Sequence, residues 1–141
     1  MSFTADASVT VRWLISGEEH EAQALKLRND YAKGLIKLHA PELLTFEVLN
    51  TLWKTVERKI MKAEDALMVC KGFGKLAPKT LSLDLEDLEN ALKVAMANHI
   101  TFYDASYIAT ALKTESTLIT ADKDLYEVAR SYVKTIHLEN Y

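Results

Sequence analysis

The sequence predicts an α/β protein, a parallel sheet of about four or five strands flanked by helices, and three observations predict it. Strand-like and helix-like segments alternate along most of the chain, and helical crossovers are the connection that parallel neighbours need. Only four glycines and two prolines interrupt the 141 residues, which favours long helices. The tripeptide Thr-Ala-Asp occurs twice, at Thr4–Asp6 and Thr120–Asp122, each time closing a short uncharged run and opening a helical pattern. A chain of this length, 49% hydrophobic and 26% charged, is expected to form one domain over residues 1–141 that buries about two thirds of its unfolded surface.

The elements follow in order. Ser2–Ala5 is a poor strand by itself, and the segment after Asp6, SVTVRWLI, mixes helix and strand preferences and is placed as a short helix. Glu18–Lys33 sets Ala24, Leu25, Leu27 and Tyr31 among many charges, a surface helix with Gly34 as its stop. LIKLHA alternates like a strand, and Pro41 suits the first turn of the helix that carries Leu49, Leu52, Trp53 and Val56 at helical spacing. KAEDALMVCKGFGKLA is a second amphipathic helix ending near its two glycines, so this part of the chain is an all-helical insert. Pro78 precedes the strand-like KTLSL, Asp84 caps the helix LEDLENALKVAMANH, and YDASYIATALK is a further helix. STLITA, KDLYEVARS and YVKTIHL then read as strand, helix and closing strand.

Composition excludes several classes. A net charge of -3 and a pI near 5.8 give no overall positive field toward nucleic acid. Lys54, Arg58, Lys59, Lys62, Lys71, Lys75 and Lys79 form a basic stretch, but Glu57, Glu64 and Asp65 dilute it, and solvated helix faces explain it better than a phosphate grip. KGFGKL lacks the spacing of a phosphate-binding loop. Cys70 has no partner for an intramolecular disulfide and reads as a small core residue. His20, His39, His99 and His137 lie far apart without ligand spacing and read as incidental, while Trp13, Tyr103 and Tyr107 are assigned to core packing. Apolar runs stop well short of the roughly 18 to 20 residues that span a bilayer, so the expectation is a soluble, cytoplasmic protein.

Four carboxylates stand out by the company they lack. Asp6 and Asp122 sit where the carboxyl ends of parallel strands open toward helices, the place where such sheets gather functional groups. Each also directly precedes a helix, so a cap worth about 1 kcal/mol explains either one alone. Asp104 is the only charged side chain between Lys93 and Lys113, and Glu47 the only one between Glu42 and Lys54. A buried carboxylate without a basic neighbour must be paired, protonated or bound to a metal. If the four converge, each close pair repels by about 4 kcal/mol at roughly 4 Å in an effective dielectric of about 20, and a cation must stand between them. Oxygen ligands without histidine suit Mg²⁺ or Mn²⁺ better than zinc.

TADASVTVRWLI, PELLTFEVLNTLW, YDASYIATALK and LITADKDL, in this order and at these separations, resemble the PIN-domain family over essentially the full length, in particular the VapC-type toxin ribonucleases. The resemblance implies a three-layer PIN-like fold and an endoribonuclease that hydrolyses RNA phosphodiester bonds with Mg²⁺ as cofactor, or Mn²⁺ in its place. The family's acidic residues match Asp6, Glu47, Asp104 and Asp122, and its orienting hydroxyl matches Thr120, while Asp124 is a candidate to share the role of Asp122. Products with a 5′-phosphate and a 3′-hydroxyl, a homodimer and a VapB-like antitoxin are further implications. Two rival enzymes fit less well: a haloacid dehalogenase needs an acid two residues after Asp6, where Ser8 stands, and a receiver domain needs one beside it, where Ala5 and Ala7 stand. A catalytically silent PIN-like interaction module would typically have lost one of the four acids, and all are present.

Overall fold

A computed structural model describes residues 1–141. All five strands are parallel: β1 (Ser2–Ala5), β2 (Lys37–Pro41), β3 (Lys79–Leu81), β4 (Thr117–Thr120) and β5 (Thr135–His137). Between them run α1 (Ala7–Val11), α2 (Glu21–Ala32), α3 (Leu43–Glu57), α4 (Ala63–Leu76), α5 (Leu85–Asn98), α6 (Phe102–Thr114) and α7 (Lys123–Ala129). The spatial order of the sheet is β3-β2-β1-β4-β5. Travel along the sheet therefore reverses after β3, and right-handed crossovers carry α1–α4 over one face and α5–α7 over the other.

The weakest strand by residue preference is the central one. Phe3, Thr4 and Ala5 are buried, and Phe3 is paired with Leu38 on one side and Thr117 on the other. Pairing on both edges supplies what the intrinsic preference of Ser-Phe-Thr-Ala does not. The core around this strand joins Val9, Leu27, Leu38, Leu44 and Val48 to Ile108, Leu118, Ile119, Leu125 and Leu138. A smaller seam of Ala91, Ala95, Ala105 and Ala109 lets α5 and α6 approach closely, because methyl side chains keep little distance between two backbones.

Helix starts are set by short polar side chains. Asp6 accepts from the Val9 N–H, Thr101 from Asp104, and Asp122 from Leu125, while Asp84 and Asp87 form a reciprocal capping box whose carboxylates are both bridged by Lys113. Helix stops corrected several expectations. The second helix begins at Glu21 and not Glu18, because Gly17 (φ 101°) and His20 (φ 62°) turn the chain through left-handed conformations. Pro41 is the last residue of β2, opposite Leu81, instead of opening α3; there its missing N–H affects only the end of the ladder. Helix α4, by contrast, ends near its two glycines as expected, at Leu76, since Ala77 precedes Pro78 and is driven to an extended ψ of 146°.

Four side chains also have surroundings other than those expected. Cys70 is not a core residue: it is half-buried and lines an apolar groove between α3 and α4. Tyr103 is exposed, because Asp104 and Ala105 and not Tyr103 face inward at the start of α6. His20 and His137, distant in sequence, stack edge to face with ring centroids 5.5 Å apart. No helix is long and apolar enough to cross a membrane.

Candidate active site

The strand order decides where functional side chains can meet. It reverses between β1 and β4, and α1 and α7 leave the ends of these two strands over opposite faces, which opens a crevice at their carboxyl edge. Asp6 directly follows β1, and its N–H extends the ladder by donating to the Ile119 carbonyl of β4 at 3.4 Å. Asp122 stands two residues past the end of β4. The two copies of Thr-Ala-Asp thus end on neighbouring strands.

A hydroxyl joins them. Thr120 Oγ1 donates to Asp6 Oδ2 at 2.7 Å and accepts from the Asp122 N–H at 3.0 Å. Ser8 supports the same carboxylate: its Oγ donates to Asp6 Oδ1 at 2.6 Å and accepts from the Ala121 N–H at 2.9 Å. Asp6 is only 5% exposed, and burial pushes its carboxyl up to about 7. The hydrogen bonds from Ser8, Thr120 and the Val9 N–H work against that rise, and the charge of Asp104 adds to it.

Asp104 is the common neighbour of the other acids. It lies in the first turn of α6 as a helical residue, since Thr101 is the cap. Its carboxyl is held above the ordinary aspartate range by burial first and then by the charges of Asp122 and Asp124. Asp104, Asp122 and Asp124 line one open cleft of about 430 Å³ together with Thr101 and Glu127. Glu47, in the second turn of α3, is raised by burial and then by Asp104, while Tyr107 opposes the rise. None of the four acids takes part in a salt bridge. Mutual influence therefore runs from Glu47 through Asp104 to Asp6 on one side and to Asp122 and Asp124 on the other.

Sequence reasoning missed two members of this group. Tyr107 is buried as expected, yet its hydroxyl donates to Glu47 Oε1 at 3.0 Å and anchors that carboxylate from α6. Burial and the nearby charge of Glu47 push the Tyr107 phenol far above its usual range, so it stays a donor. Its spacing of three residues from Asp104, which puts both on one face of α6, was the available signal. Ser8 had a comparable one, two residues after Asp6 at the same corner. Tyr107→Phe is expected to keep the fold and lose about 1.5 to 3 kcal/mol, as for a hydrogen bond to a charged group, read as a lower denaturation midpoint. An unchanged midpoint would mean that water satisfies Glu47 equally well.

A parallel sheet with acidic side chains gathered at its switch point defines an α/β protein of the PIN type. The PIN domain family model matches residues 4–131, and the chain belongs to that family. Among its relatives, Ribonuclease VapC3 of Pyrobaculum aerophilum is 30% identical over 129 residues, covering 90% of this chain and 94% of that protein. The crystal structure of PAE2754 from Pyrobaculum aerophilum aligns with a TM-score of 0.69 at 25% identity, over 99% of this chain and 91% of that one. VapBC2 from Rickettsia felis, solved bound to a DNA fragment from its promoter, aligns with a TM-score of 0.68 over 97% of this chain and 98% of that one; at 12% identity it speaks for the fold alone.

Proposed function

We propose that the protein is a VapC-type endoribonuclease dependent on Mg²⁺ or Mn²⁺. The observation that carries this reading is electrostatic: Asp6 is buried without a basic partner, its carboxyl and that of Glu47 are raised by burial and by Asp104, and Asp104 is raised in turn by burial and by Asp122 and Asp124. Oxygen donors lacking compensating cations fit a hard divalent ion, which would be held by Asp6, Asp104 and Asp122, with Asp124 beside them. Such an ion supplies positive charge to the phosphodiester oxygens and acidity to the attacking water.

The chain's own groups divide the remaining work. Thr120 and Ser8 fix both oxygens of Asp6, so that its orientation is set before substrate arrives. Glu47, raised by its half-buried setting and steadied by Tyr107, positions the attacking water and receives its proton. The P–O3′ bond breaks as the new P–O bond forms, and the leaving oxygen takes a proton from solvent water to depart as a 3′-hydroxyl, which leaves the phosphate on the 5′ side. No covalent nucleophile is required.

The relative named Ribonuclease VapC3 supports RNA as the substrate, and a VapB-like antitoxin is the partner that a VapC-type reading carries with it. An all-apolar groove lined by Leu49, Leu52, Trp53, Val56, Leu67 and Cys70 between α3 and α4 offers a protein partner a surface. The exposed Leu85, Leu92 and Met96 of α5 support pairing as a homodimer. Incubation of the protein with mixed RNA is expected to yield 5′-phosphorylated fragments in Mg²⁺ or Mn²⁺ and none in EDTA. Intact RNA under all conditions would favour the silent interaction module instead.

A further inference from the structure

We propose that His20, His137 and Glu139 form a second cation site, separate from the acidic centre, which takes a borderline divalent ion of the zinc class and clasps the segment before α2 to the end of β5. One ligand atom from each of the three lies within 4.8 Å of the others. Bonds of about 2 Å to zinc set ligand atoms roughly 3 to 4 Å apart, and rotation of the exposed Glu139 side chain closes the difference. Two imidazoles with one carboxylate are a donor set for zinc-like ions and a poor one for Mg²⁺.

Three further observations point to a ligand at this place. His137 is buried, and its Nε2 lies 3.1 Å from the Ala121 carbonyl, to which only an N–H can donate. That fixes the tautomer and leaves Nδ1 as the nitrogen with the lone pair, the arrangement in which histidine usually meets a metal. The single lone pair of Nδ1 meets the Glu139 N–H only at a long 3.3 Å, and Glu139 Oε1 stands 3.6 Å from the same nitrogen, so a cation taken up here would replace that stretched backbone contact and draw the carboxylate onto the same ion.

The third observation is His20 itself. It adopts φ 62°, a conformation its β-carbon disfavours, at the N-cap of α2, yet its side chain makes no capping hydrogen bond. The imidazole is instead directed edge to face at His137. Arg12 secures this placement: Nε donates to the Glu19 carbonyl at 2.8 Å, next to His20, and a terminal nitrogen donates to the Ser8 carbonyl at 2.5 Å. Three protein ligands, one of them solvent-exposed, leave a position open to water and make the clasp exchangeable with free metal. Its consequence reaches the other centre, because the Ala121 carbonyl held by His137 directly precedes Asp122.

The test is a Co²⁺ titration of the full chain, stripped of metal, followed by visible ligand-field absorption. Wild type and Asp104→Asn are both expected to develop a band that saturates at one equivalent and is displaced by Zn²⁺. His20→Ala should lose the band. Glu139→Gln should weaken binding at least as much as the roughly tenfold to hundredfold loss seen when a supporting partner is removed. Zn²⁺ should also raise the melting midpoint of wild type and of Asp104→Asn but not of His20→Ala. The proposal is overturned by a wild type without the band, by a band that persists in both His20→Ala and Glu139→Gln, or by one that vanishes in Asp104→Asn and so belongs to the acidic centre.

Discussion

Asp104→Asn is expected to reduce RNA cleavage at least about a hundredfold while leaving the metal-free protein as stable as wild type, or more so. The cleavage loss follows if Asp104 is the acid shared by both halves of the centre, since one ligand to a catalytic cation is worth several kcal/mol of transition-state charge stabilisation. The stability expectation has a separate basis. The Asp104 carboxyl is held above its ordinary range by burial and by Asp122 and Asp124, so the folded chain disfavours its charge. Asparagine removes that charge at nearly constant volume. Thr101, not Asp104, caps α6, so the helix start is retained; the favourable effect of a negative charge in the first turn, about 0.3 to 1 kcal/mol, and the Thr101 hydrogen bond that favours the charged carboxyl are the opposing contributions. A cleavage assay with Mn²⁺ and a melt in EDTA read the two effects independently. Cleavage at the wild-type rate would remove the acidic centre from the mechanism.

The second large effect is a pH dependence that a divalent ion erases. Asp6 has its carboxyl raised from 3.8 to about 7 in the folded protein, so between these values the native state holds a proton that the unfolded chain releases. Stability then falls as pH rises, because the folded state binds more protons than the unfolded one. The contribution is fully present below about pH 4, declines through the interval, and is gone above about pH 7, a total on the order of 4 kcal/mol at 1.36 kcal/mol per unit. Glu47 and Asp104 are shifted in the same direction and steepen the decline. In EDTA the protein should therefore melt at a higher temperature at pH 5 than at pH 8. Saturating Mn²⁺ should lift the pH 8 midpoint and narrow the gap, because the ion replaces the proton as the compensating charge. Equal midpoints at both pH values, with or without Mn²⁺, would falsify the picture of mutually raised carboxylates.

Much of the candidate centre was legible in the chain because its signals are local. Asp6 and Asp122 announce themselves as strand-to-helix corners, and Glu47 and Asp104 by the missing basic residue one turn away. These are patterns within a few residues, which helix periodicity and capping chemistry make readable. Tyr107 escaped because an aromatic residue on an apolar face looks the same whether its hydroxyl meets a carboxylate or nothing. Cys70 was misplaced for the opposite reason: the inner face of α4 packs mainly through Phe73, so an apolar pattern there did not mean burial.

The sequence by itself determined the alternation of elements, the caps at Asp84 and Asp122, the stop at Gly34 and the identity of the isolated acids. Only the tertiary structure decided that β1, the poorest strand former, occupies the middle of the sheet, that Thr120 bonds Asp6 across 114 residues, and that His20 meets His137. The physical reason is range: caps and periodicity act within one or two helical turns, whereas the neighbours of a parallel strand are chosen by the burial of the whole sheet.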